Sequence, residues 1–317
     1  MIVTVTLNPA IDKTLIVHAF KTGATNRATV DRVETGGKGI NVARTLKRLG
    51  CDVCATGFLG ADDRYGSAAM LAEQGIDADF VAVAGDTRVN LKLIDTLAGV
   101  ETEINEPGFD VPAEAIGLFM VKFRALACKA SVMVLSGSLP PGTPVDLYAE
   151  LIAVAHAEGV QTLLDTAAPA LAHGIGARPD LVKPNRAEAE ELLGMSIVDE
   201  DSLLRAADRI LAMGARRVVI SLGSDGAFSA SSDGMWRAHP PAVIARSTVG
   251  AGDAMAAGLA YGLMKSLPAP EALRLATATS CAAAITPRPY PSSPEIQALL
   301  PQVLIEPVPL SRPWSAG

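Results

Sequence analysis

A repeated change of period constrains this chain more than any other feature. Short apolar runs alternate with stretches in which apolar residues recur every three or four positions. Residues 3–7, 53–58, 132–135, 162–164, 181–183 and 218–222 read as strands. Residues 38–49, 65–74, 147–158 and 202–213 read as helices, with Gly50, Gly75, Gly159 and Gly214 at their stop positions. The run Val132-Met133-Val134-Leu135 is apolar throughout, as a strand covered on both faces requires. Such strand-then-helix units predict an α/β fold of three layers, α/β/α, around a mostly parallel sheet.

Four short stretches break the alternation: residues 14–18, 28–33, 88–95 and 100–105. The last two read as a hairpin across Thr96-Leu97-Ala98-Gly99, with Val89, Leu91 and Leu93 alternating against Asn90, Lys92 and Ile94. Together they predict a small β-sheet lid assembled from two insertions, about 13–34 and 87–107. A small sheet has exposed edges and a one-sided core. It is therefore expected to cover the main sheet or to pair with its copy in a homodimer. The 317 residues allow two domains or one with an insertion; the expectation is a single domain over 1–317. The tail from 287 to 317, rich in Pro and Ser, is expected to be irregular.

Composition excludes several classes. The mean hydropathy of +0.30 suggests a membrane protein, but no stretch approaches the ~20 apolar residues of a span. Residues 1–7 lack a basic leader and reach Asn8-Pro9, so they read as a first strand and a cytoplasmic location is expected. The net charge of −7 argues against nucleic acid. Lys and Arg adjoin only at Lys47-Arg48 and Arg216-Arg217, late in helices or at turns, where cations suit a helix C-terminus. Cys51 and Cys54 form a lone C-x-x-C, without a second pair or a His cluster, and read as core thiols.

Two glycine turns carry the chemistry. In Ser247-Thr248-Val249-Gly250-Ala251-Gly252-Asp253-Ala254 a turn opens a helix, so free N–H groups and the helix dipole favour an anion. Asp253 would oppose that anion unless it takes the proton of an attacking hydroxyl while the N–H groups hold a transferred phosphoryl group. The plainer alternative is an acidic residue in a helix first turn. In Thr35-Gly36-Gly37-Lys38-Gly39-Ile40-Asn41 three glycines and a lysine lead into a helix. Lys38 could hold a phosphate and Asn41 a sugar hydroxyl; the alternative is a tight turn with an exposed lysine. Neither turn is a Walker A loop or the G-x-G-x-x-G of dinucleotide enzymes, which disfavours a nicotinamide oxidoreductase.

Together these turns resemble the two signatures of the ribokinase-like, PfkB-type carbohydrate kinases. Further matches are Thr6-Leu7-Asn8-Pro9-Ala10-Ile11-Asp12, Ser136-Gly137-Ser138-Leu139-Pro140-Pro141-Gly142, Lys183-Pro184-Asn185-Arg186-Ala187-Glu188 and Ser221-Leu222-Gly223-Ser224-Asp225-Gly226. Lys38, residues 87–93 and residues 102–108 are most similar to the 1-phosphofructokinases of the sugar-phosphate branch. Tagatose-6-phosphate kinases and the family's 6-phosphofructokinases share much of the pattern.

The resemblance implies an ATP- and Mg2+-dependent phosphotransferase that converts fructose 1-phosphate to fructose 1,6-bisphosphate. It makes Asp253 the base and Gly250, Ala251 and Gly252 the anion hole. Asp12, Gly37, Gly39 and Asn41 would bind sugar hydroxyls. Lys38 and Arg88 would meet the existing phosphate with Ser138, and Arg27 and Lys92 are further candidates. Lys183, Asn185, Ser221, Gly223, Gly226 and Thr248 would face the nucleotide. Asn185 and Glu188 would position Mg2+ through waters; they also read as a helix cap. In place of a kinase, a sugar-phosphate-binding regulator would lack Asp253 or its turn. Two departures stand out: Ser247 stands where many relatives have Asp, and residues 284–291 do not follow the family's segment near the adenine and monovalent cation.

Overall fold

The first strand, Ile2–Thr6, is buried along its whole length and becomes the middle of a sheet. Val53–Gly60 and Val132–Ser136 flank it, both parallel. In the computed structural model, which describes residues 1–286, 288 and 290–309, the sheet has ten strands. Seven are parallel: Asp77–Val83, Val53–Gly60, Ile2–Thr6, Val132–Ser136, Gln161–Asp165, Leu181–Val182 and Arg217–Ser221. Ala227–Ser231, Gly234–His239 and Leu304–Pro307 continue it antiparallel at one edge.

Strand alternation sends successive side chains to opposite faces, so two cores form. One holds Val3, Val5, Phe58, Phe119, Phe123, Tyr148 and Phe228 under the helices Ala113–Ala127, Leu147–Ala157 and Glu200–Ala212. The other holds Ile2, Ile40, Ala43 and Leu46 with the alanine-rich helices Ala251–Met264 and Ala269–Ile285. These last two pack so closely that a Cβ on Gly258 would lie 2.6 Å from the Ala276 Cα. Small residues thus build one whole layer, and the positive hydropathy follows without a membrane. Among the described residues no helix is long and apolar enough to cross one.

A second sheet joins Ala28–Gly36, Ala10–Val17, Val89–Asp95 and Val100–Asn105 in that order. Its central pair is parallel and its outer pairs antiparallel.

Some expectations need correction. Within the tail from 287 to 317, Ser293–Leu299 is a helix with a capping box and Leu304–Pro307 an edge strand. Pro287, Pro289 and residues 310–317 of that stretch lie outside the described residues. Cys51 and Cys54 are buried and free, and burial pushes both thiols up, Cys54 to about 11. That environment suits core packing and not a reactive thiolate.

Candidate active site

The parallel strands present their carboxyl ends together, the edge at which α/β sheets bind ligands. Thr6, Ser136 and Asp165 are register partners along that edge. Lys183 follows the short strand Leu181–Val182, and Asn185 bridges to Ser221 on the next. The helix Lys38–Arg48 lies across the edge: a Cβ on Gly39 would sit 2.5 Å from both Val5 O and Thr6 Oγ1. Only glycine permits that approach.

Facing this helix, Ala251–Met264 starts at Gly250, whose φ of 77° is left-handed. The turn leaves the N–H groups of Gly252 and Asp253 without carbonyls inside the helix. Asp253 is 8% exposed. Its Oδ2 accepts from Asn41 Nδ2 at 2.9 Å. Burial, and then the nearby Asp165 carboxylate, push its pKa up to about 6, against the Asn41 donor, Lys38 and Lys183. The carboxylate is thus ionised at neutral pH yet close to its titration point, which is the range a general base uses.

Asp165 organises the positive charge. Its Oδ1 lies 3.4 Å from Lys38 Nζ and 3.2 Å from Lys183 Nζ. Lys38 also meets Glu188 Oε1 at 3.3 Å. Asp165 raises the pKa of Lys38, outweighing the desolvation that lowers it, and Glu188 adds to the rise. Lys183 is buried and borders the glycine turn, its Nζ 3.8 Å from where a Gly252 Cβ would be. Asn185 and Glu188 form a reciprocal capping box with both bonds at 2.8 Å. Glu188 still faces Lys38 with its other oxygen.

A second group lies where the small sheet meets the large one. Asp12 accepts from Asn90 Nδ2 at 3.0 Å, and burial raises its pKa. Arg88 donates to the carbonyls of Pro9 (3.2 Å), Asn8 (3.2 Å) and Glu106 (2.8 Å). A guanidinium has five N–H donors, so two remain free for an anion. Asn8 donates to Ser138 Oγ at 3.2 Å, which ties the 136–142 loop to this group.

The expected residues therefore fall into two sets. Asp253, Asn41, Lys38, Lys183, Asn185 and Glu188 converge at the carboxyl edge. Arg88, Asp12 and Ser138 surround the junction of the sheets. Lys38 makes its ion pairs with Asp165 and Glu188, away from Arg88's partners. Lys92 pairs with Glu101 across the hairpin at 2.7 Å, and Arg27 precedes the strand Ala28–Gly36. Gly37, with φ 122°, turns the chain into the helix over Thr6 and Pro9. The Thr248 carbonyl accepts from Ala251 N at the mouth of the glycine turn. Gly223 has open space around it. Gly226 is fixed by the hairpin, since a Cβ there would meet Ala238 O at 2.0 Å.

Sequence reasoning missed Asp165, Asn8, Asn90 and Arg44. Asp165 had a signal: a carboxylate ending the apolar strand Gln161–Asp165. Asn8 and Asn90 lie inside the matching stretches 6–12 and 87–93, whereas Arg44 acts through a pairing that no local pattern encodes.

A buried carboxylate at a glycine-turned helix start, beside two clustered lysines, has the chemistry that phosphoryl transfer to an alcohol calls for. The profile described as pfkB family carbohydrate kinase matches residues 5–296. The 1-phosphofructokinase of Xanthomonas campestris pv. campestris is 43% identical over 88% of this chain and 89% of its own length. That of Rhodobacter capsulatus is 39% identical over 94% and 95%. The solved tetrameric inhibited form of phosphofructokinase-2 from Escherichia coli superposes with a TM-score of 0.89 at 29% identity, covering 95% of this chain and 98% of that one. The chain belongs to the pfkB family of carbohydrate kinases. It is a sugar kinase, and the family implies ATP as co-substrate.

Proposed function

We propose that this chain transfers the γ-phosphoryl group of ATP to the free C6 hydroxyl of fructose 1-phosphate, giving fructose 1,6-bisphosphate and ADP. The reading rests chiefly on Asp253: buried, ionised near neutrality and set at the mouth of an anion-binding helix start. The kinship to 1-phosphofructokinases supports the choice of sugar.

In this mechanism Asp253 takes the hydroxyl proton as the oxygen attacks phosphorus in line and the bond to ADP breaks. In the Gly250-Ala251-Gly252 turn the free N–H groups of Gly250 and Gly252 serve the oxygens of the phosphoryl group in transfer, while Ala251 N–H is held by the Thr248 carbonyl. Lys38 and Lys183 place two ammonium groups beside the same path. Arg88 directs its two free N–H groups, with Ser138, at the sugar's existing phosphate. Asp12, Gly37, Gly39 and Asn41 order the sugar hydroxyls. Ser221, Gly223, Gly226, Thr248 and Asn185 bound the nucleotide side.

Mg2+ fits the donors here: Asp165 Oδ2 is buried without a hydrogen-bond partner, and Glu188 supplies a second carboxylate. Among the described residues there is no cluster of three or more acidic, His or Cys ligands. A hydrated ion held by one or two carboxylates, with Asn185 nearby and the substrate phosphates completing its shell, needs none. When bound, it neutralises charge on the phosphate oxygens.

The small sheet acts as a lid that keeps water from the phosphoryl group. We also infer a homodimer through that sheet, supported by Val30, Leu97, Val100 and Ile104, all more than half exposed. Residence in the cytoplasm is supported by four unpaired cysteines.

The test measures ADP release with fructose 1-phosphate, fructose 6-phosphate, tagatose 6-phosphate and fructose. Fructose 1-phosphate should give the highest kcat/KM, and Asp253→Asn should lose ~10²-fold or more in kcat. Preference for either 6-phosphate would overturn the choice of sugar. Near-normal turnover by Asp253→Asn would overturn the base and favour a binding regulator.

A further inference from the structure

The adjacent pair Lys47-Arg48 has no part in the mechanism above, yet it is not simply a solvated helix end. With Arg44, Arg288, Gln74 and Tyr290 it lines a cavity of about 400 Å³, set between the helix Lys38–Arg48 and the end of the helix Ser67–Glu73. Four cations surround this space in a chain of net charge −7. Among the described residues none of them forms an ion pair with a carboxylate, and Glu73 is the one acid on the wall.

Arg44 makes the cavity more than a basic patch. It is 4% exposed, and burial lowers its pKa. Its Nε donates to Gln74 Oε1 at 2.7 Å, and its guanidinium lies 5.5 Å from the centre of the Tyr290 ring. Its Nη2 is buried and has no hydrogen-bond partner among the described residues. A buried guanidinium with unmet donors is costly unless something completes it. A planar fork beside a lysine and two further arginines suits phosphate, which accepts two parallel N–H bonds.

The remaining arm of Arg44 reaches the catalytic residues. Nη1 donates to Asn41 Oδ1 at 3.2 Å, and Asn41 Nδ2 donates to Asp253. Arginine can only donate, so this bond fixes the Asn41 amide with its NH₂ towards Asp253. We propose that the cavity binds a small phosphate-bearing metabolite through Arg44, Lys47, Arg48 and Arg288, and that its occupant lowers turnover by drawing Arg44 off Asn41, which brings the buried Nη2 to the ligand. The binding half stands on the cavity alone; the effect on turnover rests on the reading of Asp253 as base.

The test titrates inorganic phosphate calorimetrically into wild type, a Lys47→Ala/Arg288→Ala double variant and Arg88→Ala. Both sites of the double variant lie at the cavity's margin, and thermal unfolding checks that its fold is intact. The expected result is binding that weakens about tenfold or more in the double variant and persists in Arg88→Ala. Steady-state rates at saturating sugar phosphate should fall with added phosphate in wild type and much less in the double variant. Binding that the double variant retains, or that Arg88→Ala alone abolishes, overturns the site. Binding with no change in kcat overturns the link to Asn41. Absence of turnover on any sugar phosphate refutes the kinase reading and leaves the calorimetric result to stand or fall by itself.

Discussion

Replacing Asn41 by leucine keeps most of the side-chain volume and removes the donor that faces Asp253. That donor stabilises only the ionised carboxylate, so its loss must raise the Asp253 pKa above about 6. A hydrogen bond to a charged group is worth roughly 1.5–3 kcal/mol, and one pKa unit about 1.4 kcal/mol, so the rise should be about 1–2 units. At neutral pH the ionised fraction then falls from about nine-tenths to between about one-half and one-tenth. The assay is the pH dependence of kcat/KM for fructose 1-phosphate, which reports the free enzyme's pKa values. In Asn41→Leu the acid limb should move up by the stated interval, with much of the loss recovered in alkali. Any lost contact to a sugar hydroxyl adds a factor that does not vary with pH. A uniform loss with the acid limb unmoved would refute the coupling of Asn41 to Asp253.

Three further expectations follow from the same geometry. Asp165→Asn should shift the acid limb the other way, downwards, because a like charge beside Asp253 is gone; an unchanged limb would remove Asp165 from the site's electrostatics. Asp253 carries a raised pKa when folded, so its cost to stability is absent below about pH 4 and complete above about pH 6. Thermal unfolding of Asp253→Asn should therefore show a gain over wild type of up to about 3 kcal/mol at neutral pH and almost none in acid; a pH-independent difference would contradict the buried charge. Gly258→Ala should destabilise by about 1–3 kcal/mol, since its Cβ would meet the Ala276 backbone, and Gly117→Ala, with open space around it, should stabilise by about 0.5–1 kcal/mol; urea denaturation of the two should show opposite signs.

The strands and helices legible in the sequence are the wholly apolar short runs, such as Val132-Met133-Val134-Leu135, and the helices whose apolar residues recur at a helical period. In the helix Lys38–Arg48 the apolar Ile40, Val42, Ala43 and Leu46 recur among polar residues, so its period is visible in the sequence even though Arg44 and Thr45 are buried too. The helix Ala269–Ile285 escaped because ten of its seventeen residues are buried alanines, leucines and threonines spread around its circumference. With no polar face there is no stripe to read. The strand Leu304–Pro307 escaped for the converse reason: it is mostly exposed and held by pairing to Gly234–His239. The glycine turns were legible because backbone geometry demands glycine there. Asp165 offers only its place at the end of an apolar strand, since its role depends on two lysines that lie 127 and 18 positions away in the chain.

Asp165 also explains how an acidic chain can receive anions. Two ammonium groups packed beside a helix start would repel one another, and a buried lysine tends to lose its proton. Asp165 holds both and raises the pKa of Lys38, so positive charge persists in the site before any phosphate arrives. The same carboxylate works against Asp253 by raising its pKa, and the lysines and Asn41 work for it. The carboxylate comes to about 6 because desolvation and Asp165 together outweigh Asn41, Lys38 and Lys183. A site with the lysines but without Asp165 would hold a weaker base and less securely placed cations. A site with Asp165 but without the lysines would hold its carboxylate at a still higher pKa. In the proposed mechanism the three charges work as a set, although they come from three separate stretches of the chain.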